Sequence, residues 1–283
     1  VRSNAKIIMR WHISMLDCHI TSLNCNDKEV IDFLLLKSNE FSSNGKLEYE
    51  LTEVDQVPIG IMYINLYKIS RNKEFLDVAR SVFDYLNEKR INGSNLISYR
   101  AESANQFSDG VGMICPFLME YFHATQDSTA LMMANDNLNE FKKWGCDIAT
   151  GIPTHGYNKE THIKVGSANW GRGIGWYLLA AAYMPHLDDP LLDKSIELLN
   201  YSQFPLSSKQ FDSSTALMIE IYKQSRIPNV QRPLDFIKPH ITQEGLVMKC
   251  SGDTYDLNNY SHFFGPAELT NGLFLILISH FQR

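Results

Sequence analysis

The segment SANWGRGIGWYLLAAA, residues 167–182, sets two tryptophans and one arginine among three glycines at the predicted start of an apolar helix. Trp170, Arg172 and Trp176 could hold an anionic sugar, since a guanidinium pairs with a carboxylate and an indole stacks on C–H surface. Arg172 and Trp176 are four residues apart and share a face once the helix has begun. The glycines would let the backbone approach a ligand closely. The alternative is a packed helix junction in which Arg172 forms a salt bridge.

Three aspartates at predicted helix starts supply candidate acid–base groups. Asp55 and Asp109 begin the inner helices of adjacent predicted hairpins, and Asp212 begins a later one. For each residue, helix capping is the competing explanation, because aspartate is a good N-cap and offsets the helix dipole. Equivalent positions in adjacent hairpins nevertheless predict that the carboxylates of Asp55 and Asp109 converge on one rim.

A histidine lies in the segment GIPTHGYN, residues 151–158, where glycine and proline interrupt the helical pattern. His155 is therefore predicted on a loop between helices. A loop histidine is usually a solvated side chain. Because His155 is bracketed by Gly and Pro and stands near Tyr157, a position in a pocket is an equal alternative.

Composition limits the classes of protein to consider. With 283 residues and 44% hydrophobic composition, the chain can bury one large core, and we predict a single domain over residues 1–283. A net charge of −6 without Lys/Arg runs argues against nucleic acid as a partner. No apolar run reaches the roughly 18 to 20 residues of a membrane span, and the N-terminus lacks the apolar block of a signal peptide.

Cysteine and histidine usage bears on redox compartment and on metals. Five cysteines are present, and no CxxC pair occurs among them: Cys18, Cys25, Cys115, Cys146 and Cys250. They predict free thiols in a reducing compartment and a cytoplasmic location, with a disulfide or a zinc site as the alternative. Because no His/Cys cluster has metal-ligand spacing, we expect no bound metal.

Most of the chain has the three- to four-residue apolar periodicity of helices, while strand-like alternation is confined to NLISYR and GLVMKC. The helices repeat: YKISRNKEFLDVARSVFDYL aligns with FHATQDSTALMMANDNLNEF at an offset of 55 residues. Such a repeat predicts stacked αα-hairpins. An open solenoid needs polar capping repeats, whereas the last predicted helix, LFLILISHF, is apolar on most faces. We therefore predict an all-α fold closed into an (α/α) toroid with a ligand site at its central rim.

The order of these elements resembles the unsaturated glucuronyl and rhamnogalacturonyl hydrolases, glycoside hydrolase families 88 and 105. The resemblance rests on an Asp at an inner helix start, an aromatic-x-Asp before GMICPFL, then HGY, then WGRGIGW, and it covers about residues 55–183. It implies an (α/α)6 barrel, a six-hairpin toroid, and a substrate with a terminal 4,5-unsaturated uronic acid. That sugar would be released by protonation and hydration of an enol ether, without a cofactor.

By the same resemblance, Asp109 is the general acid and then the base that deprotonates water. Its pKa would be raised by burial, near Phe107 and tryptophans, and by the charge of Asp55. Asp55 would hold sugar hydroxyls or tune Asp109, and His155 would orient the water. The expected substrate contacts are Arg172 with the uronate, and Trp176, Trp170, Phe107 and Tyr157 around the sugar.

Departures from the family pattern keep other functions open. Ile174 stands where the family usually has Asn or Gln, Phe107 where it often has Trp, and the part before Asp55 is short by about one helix. The alternatives are a non-catalytic sugar-binding relative, another (α/α) barrel enzyme such as an epimerase or lyase, and, last, a helical interaction scaffold. The sequence does not specify the aglycone, the oligomeric state or whether Val1 is the native start.

Overall fold

The computed structural model describes residues 28–91, 94–99, 103–166, 170–184, 188–198, 206, 211–226, 234–252, 254–257 and 259–281. The expectations for a leader and for Cys18 and Cys25 fall outside these residues. The described cysteines, Cys115, Cys146 and Cys250, are buried free thiols. None of the described helices combines the length and the apolar character that a membrane span requires.

Helices dominate the described chain. They are α1 Lys28–Phe41, α2 Ile59–Ser70, α3 Lys73–Glu88, α4 Ser108–Thr125, α5 Ser128–Gly145, α6 Gly171–Ala182, α7 Pro190–Leu198, α8 Ser213–Arg226 and α9 Glu268–Phe281. Helix α1 had not been predicted. Short 3-10 turns cover Val54–Gln56 and Lys238–His240.

The hairpin repeat predicted from the sequence is confirmed in the turns that join α2 to α3 and α4 to α5. Arg71 and Gln126, at the repeat offset, both end their helix in the left-handed conformation, with φ of 59° and 61°. The next residues, Asn72 and Asp127, are N-caps whose side chains accept from the amide two residues further on, at 3.1 and 2.9 Å. The same local chemistry therefore builds both turns.

The helices form two layers. In the inner layer α2 packs on α4, α4 on α6, α6 on α8, and α8 on α9, while α3 and α5 lie outside against α2 and α4. The inner helices α4, α6 and α8 are buried along most of their length, whereas α3 buries one face. Contact between α4 and α6 is close because Gly112 has no side chain; a Cβ there would lie 2.6 Å from the Trp176 carbonyl oxygen. This arrangement is the predicted all-α toroid.

The prediction that the last helix is buried is confirmed. Leu273, Ile276 and Leu277 of α9 are at most 3% exposed, and the helix packs on α8.

Small sheets connect the hairpins. The strands are β1 Ser42–Ser43, β2 Lys46–Leu47, β3 Asn105–Phe107, β4 Gly156–Asn158, β5 Lys164–Val165, β6 Cys250–Ser251, β7 Thr254–Asp256, β8 Asn259–Tyr260 and β9 Phe264–Gly265. The expected strand in NLISYR is only an isolated bridge at Ile97, and GLVMKC contributes a bridge at Val247 before β6 begins. The antiparallel sheet β3–β4–β5 was missed; it carries the candidate site.

Candidate active site

The start of α4 and the bend before β4 lie side by side. Strand β3 pairs with β4 in antiparallel register, with Phe107 opposite Gly156. Beyond the strand ends, the amide of Ser108 donates to the carbonyl oxygen of His155 at 2.9 Å. Because α4 begins directly after β3, this pairing brings Asp109 and His155 to the same place.

Asp109 is the second residue of α4 and is partly exposed. Burial raises the pKa of its carboxyl from the usual 3.8 to about 6, and the charge of Asp55 adds to the rise. Three interactions lower the pKa and so limit this rise: hydrogen bonds from the amides of Gly110 and of Asp109 itself, and the positive charge of Arg172. The rise has the direction that the family resemblance implies, with burial as its larger cause. Asp109 can thus carry a proton in mildly acidic solution.

Asp55 lies in the 3-10 turn just before α2 rather than in the helix itself. This turn packs against α4. The charge of Asp55 is the smallest of the contributions to the raised pKa of Asp109. A small cavity of about 10 Å³, space for about one water molecule, lies between the turn and α4; it is lined by Val54, Ile97, Tyr99, Gln106, Phe107, Gly110, Val111 and Ile114.

Asp212 caps a helix, which was the competing explanation for each of the three aspartates at predicted helix starts. It is 2% exposed, and its Oδ1 accepts from the Thr215 amide at 2.8 Å, at the start of α8. Its Oδ2 accepts from the amide and hydroxyl of Ser251, at 2.9 and 2.7 Å. Since these bonds satisfy both carboxylate oxygens, Asp212 is a structural residue.

His155 is a wall residue of the candidate site. It lies on the predicted loop but is only 6% exposed, so the interpretation as a solvated loop histidine is wrong. Its ring centroid is 4.2 Å from that of Trp170, 5.4 Å from Phe107 and 6.2 Å from Tyr260. Phe107 is partly exposed and meets Tyr99 edge-on at 5.6 Å. Aromatic rings therefore surround the histidine.

The two tryptophans of the glycine-rich segment lie on α6, which begins at Gly171 with Trp170 as its N-cap. Trp170 is 3% exposed, because Tyr260 stacks on its ring at 5.6 Å and the backbone at Gly173 closes on it. The sequence prediction that a sugar stacks on Trp170 is incompatible with this packing. Trp176 is 5% exposed and faces α4 at Gly112.

Tyr157, expected among the substrate contacts, belongs to the core. It is fully buried on β4, and its ring meets Phe141 edge-on at 5.7 Å. Its hydroxyl donates to Gln106 Oε1 at 2.8 Å. Because the side chain has no exposed surface, it supports the sheet from behind and cannot touch a ligand.

Arg172 makes contacts that the sequence did not indicate. Its Nη1 donates to the carbonyl oxygen of Ser251 at 2.8 Å, and its Nη2 donates to that of Gly252 at 2.7 Å and to Thr254 Oγ1 at 3.1 Å. The guanidinium carbon lies 5.9 Å from the Trp170 ring centroid. Arg172 thus connects the site to the C-terminal part of the chain.

Sequence reasoning missed the C-terminal contributors to the site. Tyr260 and Ser251 lie in a polar segment, CSGDTYDLNNYSHFFG, in which no residue pattern marks a ligand site. Among the described residues, no group of three or more His, Cys, Asp or Glu side chains could hold a metal ion.

Residues 21–196 match the model of Glycosyl Hydrolase Family 88, further in both directions than the resemblance noted above. Similar solved structures include a family 105 glycoside hydrolase from C. acetobutylicum ATCC 824, with a TM-score of 0.75, 16% identity, and coverage of 99% of this chain and 96% of that one. A family 88 glycosyl hydrolase from Bacteroides vulgatus matches with a TM-score of 0.65, 13% identity, and coverage of 97% and 91%.

A possible family 105 member from Salmonella enterica subsp. enterica serovar Paratyphi A str. ATCC 9150 gives a TM-score of 0.77 at 15% identity, covering 97% of this chain and 82% of that one. At such identities these structures establish the fold alone. They confirm the (α/α)6 toroid.

Proposed function

This chain belongs to glycosyl hydrolase family 88 and is a glycoside hydrolase, and we propose that it removes a terminal 4,5-unsaturated uronic acid from oligosaccharides left by polysaccharide lyases. The observation that carries the proposal is the carboxyl of Asp109, whose pKa burial raises to about 6 at the start of an inner helix beside His155. A carboxyl with this pKa can donate a proton near neutral pH.

The proposed chemistry needs one proton donor rather than two catalytic carboxylates. In an unsaturated uronic acid the double bond between carbons 4 and 5 is an enol ether, which is activated by protonation at carbon. Asp109 donates a proton to carbon 4, and the carboxylate so formed takes a proton from a water molecule that adds to carbon 5. The resulting hemiketal opens by cleavage of the bond between carbon 5 and the ring oxygen, which gives a ketone at carbon 5 and a hemiacetal at carbon 1. Collapse of the hemiacetal to an aldehyde breaks the glycosidic bond, so that the rest of the oligosaccharide leaves as an alcohol and the uronic acid is left in open-chain form. The spacing rule for retaining and inverting glycosidases does not apply to this scheme.

Neighbouring groups have distinct tasks in the proposed reaction. Asp55 raises the pKa of Asp109 and can accept hydrogen bonds from sugar hydroxyls. His155 orients the attacking water, and the positive charge of Arg172 favours an anionic uronate next to Asp109. The partly exposed ring of Phe107 supplies an apolar contact, and Trp170 supports His155 from behind. Trp176, expected to touch the sugar, is nearly as buried as Trp170 and packs against α4 instead. General acid–base help of this kind is worth roughly a hundred- to ten-thousandfold in rate.

An absorbance assay tests the proposal. The enol-carboxylate of the substrate absorbs in the ultraviolet, and hydration destroys that chromophore. We expect absorbance to decay when the protein is mixed with lyase digests of pectin or of a glycosaminoglycan. A protein that bound these digests, by calorimetry, without any decay would be a non-catalytic relative. A rise in absorbance on the intact polymer would indicate a lyase, because a lyase creates the double bond.

A further inference from the structure

A C-terminal segment lies against the candidate site and falls outside the family-matched residues 21–196. We call residues 250–265 the strap; the structure describes all of them except 253 and 258. Its two ends pair as β6 and β9, with Cys250 opposite Gly265 and Ser251 opposite Phe264. The strap is therefore a closed loop whose base is a two-stranded ladder.

The base of the strap is held from two sides. Asp212, at the start of α8, accepts from both the amide and the hydroxyl of Ser251. Arg172, in the first turn of α6, donates to the carbonyl oxygens of Ser251 and Gly252 and to Thr254 Oγ1. One short piece of main chain thus joins the starts of two inner helices.

Beyond this base the strap contributes a ring to the aromatic wall, the name we give to the side chains of Phe107, Trp170 and Tyr260 around His155. Tyr260 is largely buried and stacks on Trp170, with the ring planes inclined by 29°. Trp170 in turn lies against His155. Gly166 also packs closely against His155 and the strap, since a Cβ at Gly166 would lie 2.6 Å from His155 Cβ and 3.1 Å from Leu257 Cδ2.

We propose that Arg172 is a positioning residue, whose guanidinium fastens the strap beside the candidate site so that Tyr260 completes the wall that fixes Trp170 and His155. A guanidinium has five N–H groups, and three hydrogen bonds from Arg172 already go to the strap. Two of its acceptors are main-chain carbonyls, which a lysine ammonium cannot engage in the same fork geometry. The test of this role by turnover rests on the proposed function, whereas the test by hydrogen exchange does not.

Hydrogen exchange tests the fastening without a substrate. In Arg172→Lys we expect amides of the strap to exchange at least about tenfold faster, while peptides from α4 and α5 are unchanged, since loss of local bonds opens a local unit. Thr254→Val removes one acceptor of Arg172 and should give a smaller rise in the same peptides. Lys238→Ala, which breaks an exposed ion pair with Asp235, is the matched control and should leave strap exchange unaltered. Unchanged strap exchange in both site variants, or an equal rise throughout the molecule, would overturn the proposal.

A double-variant cycle tests the link from Arg172 to Tyr260. If Arg172 acts through the strap, kcat/KM of Arg172→Lys/Tyr260→Leu should lie within about twofold of the worse single variant. Tyr260→Phe keeps the ring and should recover most of the loss seen in Tyr260→Leu. Losses that multiply in the double variant would show that Arg172 acts independently of the strap, by direct contact with the uronate. Absence of turnover in the unmodified protein would refute the proposed function, and the exchange experiment would still decide the role of Arg172.

Discussion

The amide nitrogen of Ser108 donates a 2.9 Å hydrogen bond to the main-chain carbonyl oxygen of His155. This bond extends the pairing of β3 with β4 by one step and joins the start of α4 to the bend that carries His155. Asp109 follows Ser108 directly, so the carboxyl and the imidazole are set by backbone geometry rather than by a contact between the two side chains.

Asp109→Asn should lower kcat by roughly a hundred- to ten-thousandfold, because the amide cannot give or take the proton. The fold should persist, since the asparagine oxygen can still accept from the Gly110 amide, as Asp109 Oδ1 does at 2.9 Å. Steady-state kinetics on lyase digests, with circular dichroism as the check on folding, measures both. Asp235→Asn, which changes an exposed carboxylate in the same way, is the control. Turnover of Asp109→Asn within about tenfold of the unmodified protein would remove Asp109 from the mechanism.

The pH dependence of kcat/KM should show an alkaline limb at about the pKa of Asp109, near 6. Activity is expected to fall with rising pH above that value, because the free enzyme must carry the proton that it donates. Asp55 raises this pKa and Arg172 lowers it. Asp55→Asn should therefore move the limb to lower pH, and Arg172→Gln to higher pH. Shifts in the same direction for the two variants would contradict the assignment of the limb to Asp109.

The free energy of unfolding should also depend on pH through the raised pKa of Asp109. The folded pKa of Asp109 lies above its usual value of 3.8, so the folded state binds the proton more tightly than the unfolded chain does. Its contribution to the free energy of unfolding is fully present below about pH 4 and is lost as the pH rises through about 6. At about 1.4 kcal/mol per pKa unit the loss is at most roughly 3 kcal/mol, and less because the carboxyl is partly exposed.

Urea unfolding of Asp109→Asn beside the unmodified protein measures this contribution. The asparagine variant should gain stability relative to the unmodified protein between pH 5 and 8, and the two should converge at low pH. A constant difference across the range would show that burial does not disfavour the charged carboxylate.

The fold and the acidic groups were predictable because their signals are local. Apolar periodicity marks the helices from α2 to α9, though α1 was missed, and the caps Asn72 and Asp127 recur at the repeat offset with the hydrogen bonds of N-caps. The aspartates were found because helix starts can be located from the sequence. For Asp212 the position at a helix start reflects helix capping rather than catalysis, since both its carboxylate oxygens accept hydrogen bonds within the protein.

The rest of the site depends on contacts that leave no mark in residue types. Arg172 reaches Ser251 across 79 residues of sequence and bonds to its carbonyl oxygen, a group that every residue has. Tyr260 belongs to the site only because its ring stacks on that of Trp170, a contact that its residue type does not predict. Tyr157 was misjudged because β4 is three residues long, too short for alternation to show that the ring points into the core.

Two substitutions of His155 test whether its imidazole has a chemical role beyond packing. Its ring is packed between Trp170 and Phe107, so His155→Ala should lower both turnover and stability, the latter by roughly 2 to 4 kcal/mol for a buried ring lost. His155→Phe keeps a ring in the wall and removes the nitrogens. We expect it to cost less than about 1.5 kcal/mol while kcat falls at least about tenfold. Equal kcat in His155→Phe and the unmodified protein would reduce His155 to a packing residue.

Gly173 and Gly175, two residues apart on α6, offer a matched pair of alanine substitutions. A Cβ at Gly173 would overlap Trp170 Cε3 and lie 3.0 Å from Ser108 Oγ, whereas one at Gly175 would lie 2.6 Å from the terminal methyl of Met218. Both changes bring the same gain in helix propensity, at most about 1 kcal/mol. The indole is wedged between Gly173 and Tyr260 and cannot move aside, so Gly173→Ala should destabilise by about 1 to 3 kcal/mol. Met218 can rotate away, and Gly175→Ala should stay within about 1 kcal/mol of the unmodified protein.

The two variants should also differ in their effect on the site. Displacement of Trp170 in Gly173→Ala would disturb His155 and the strap together, so we expect loss of kcat along with a change in tryptophan fluorescence. Gly175→Ala should alter neither by more than about twofold, because the atom it displaces is the terminal methyl of Met218 on α8 rather than a ring of the aromatic wall. Equal stability and equal turnover in both variants would mean that the packing of Trp170 is not what holds the wall in place.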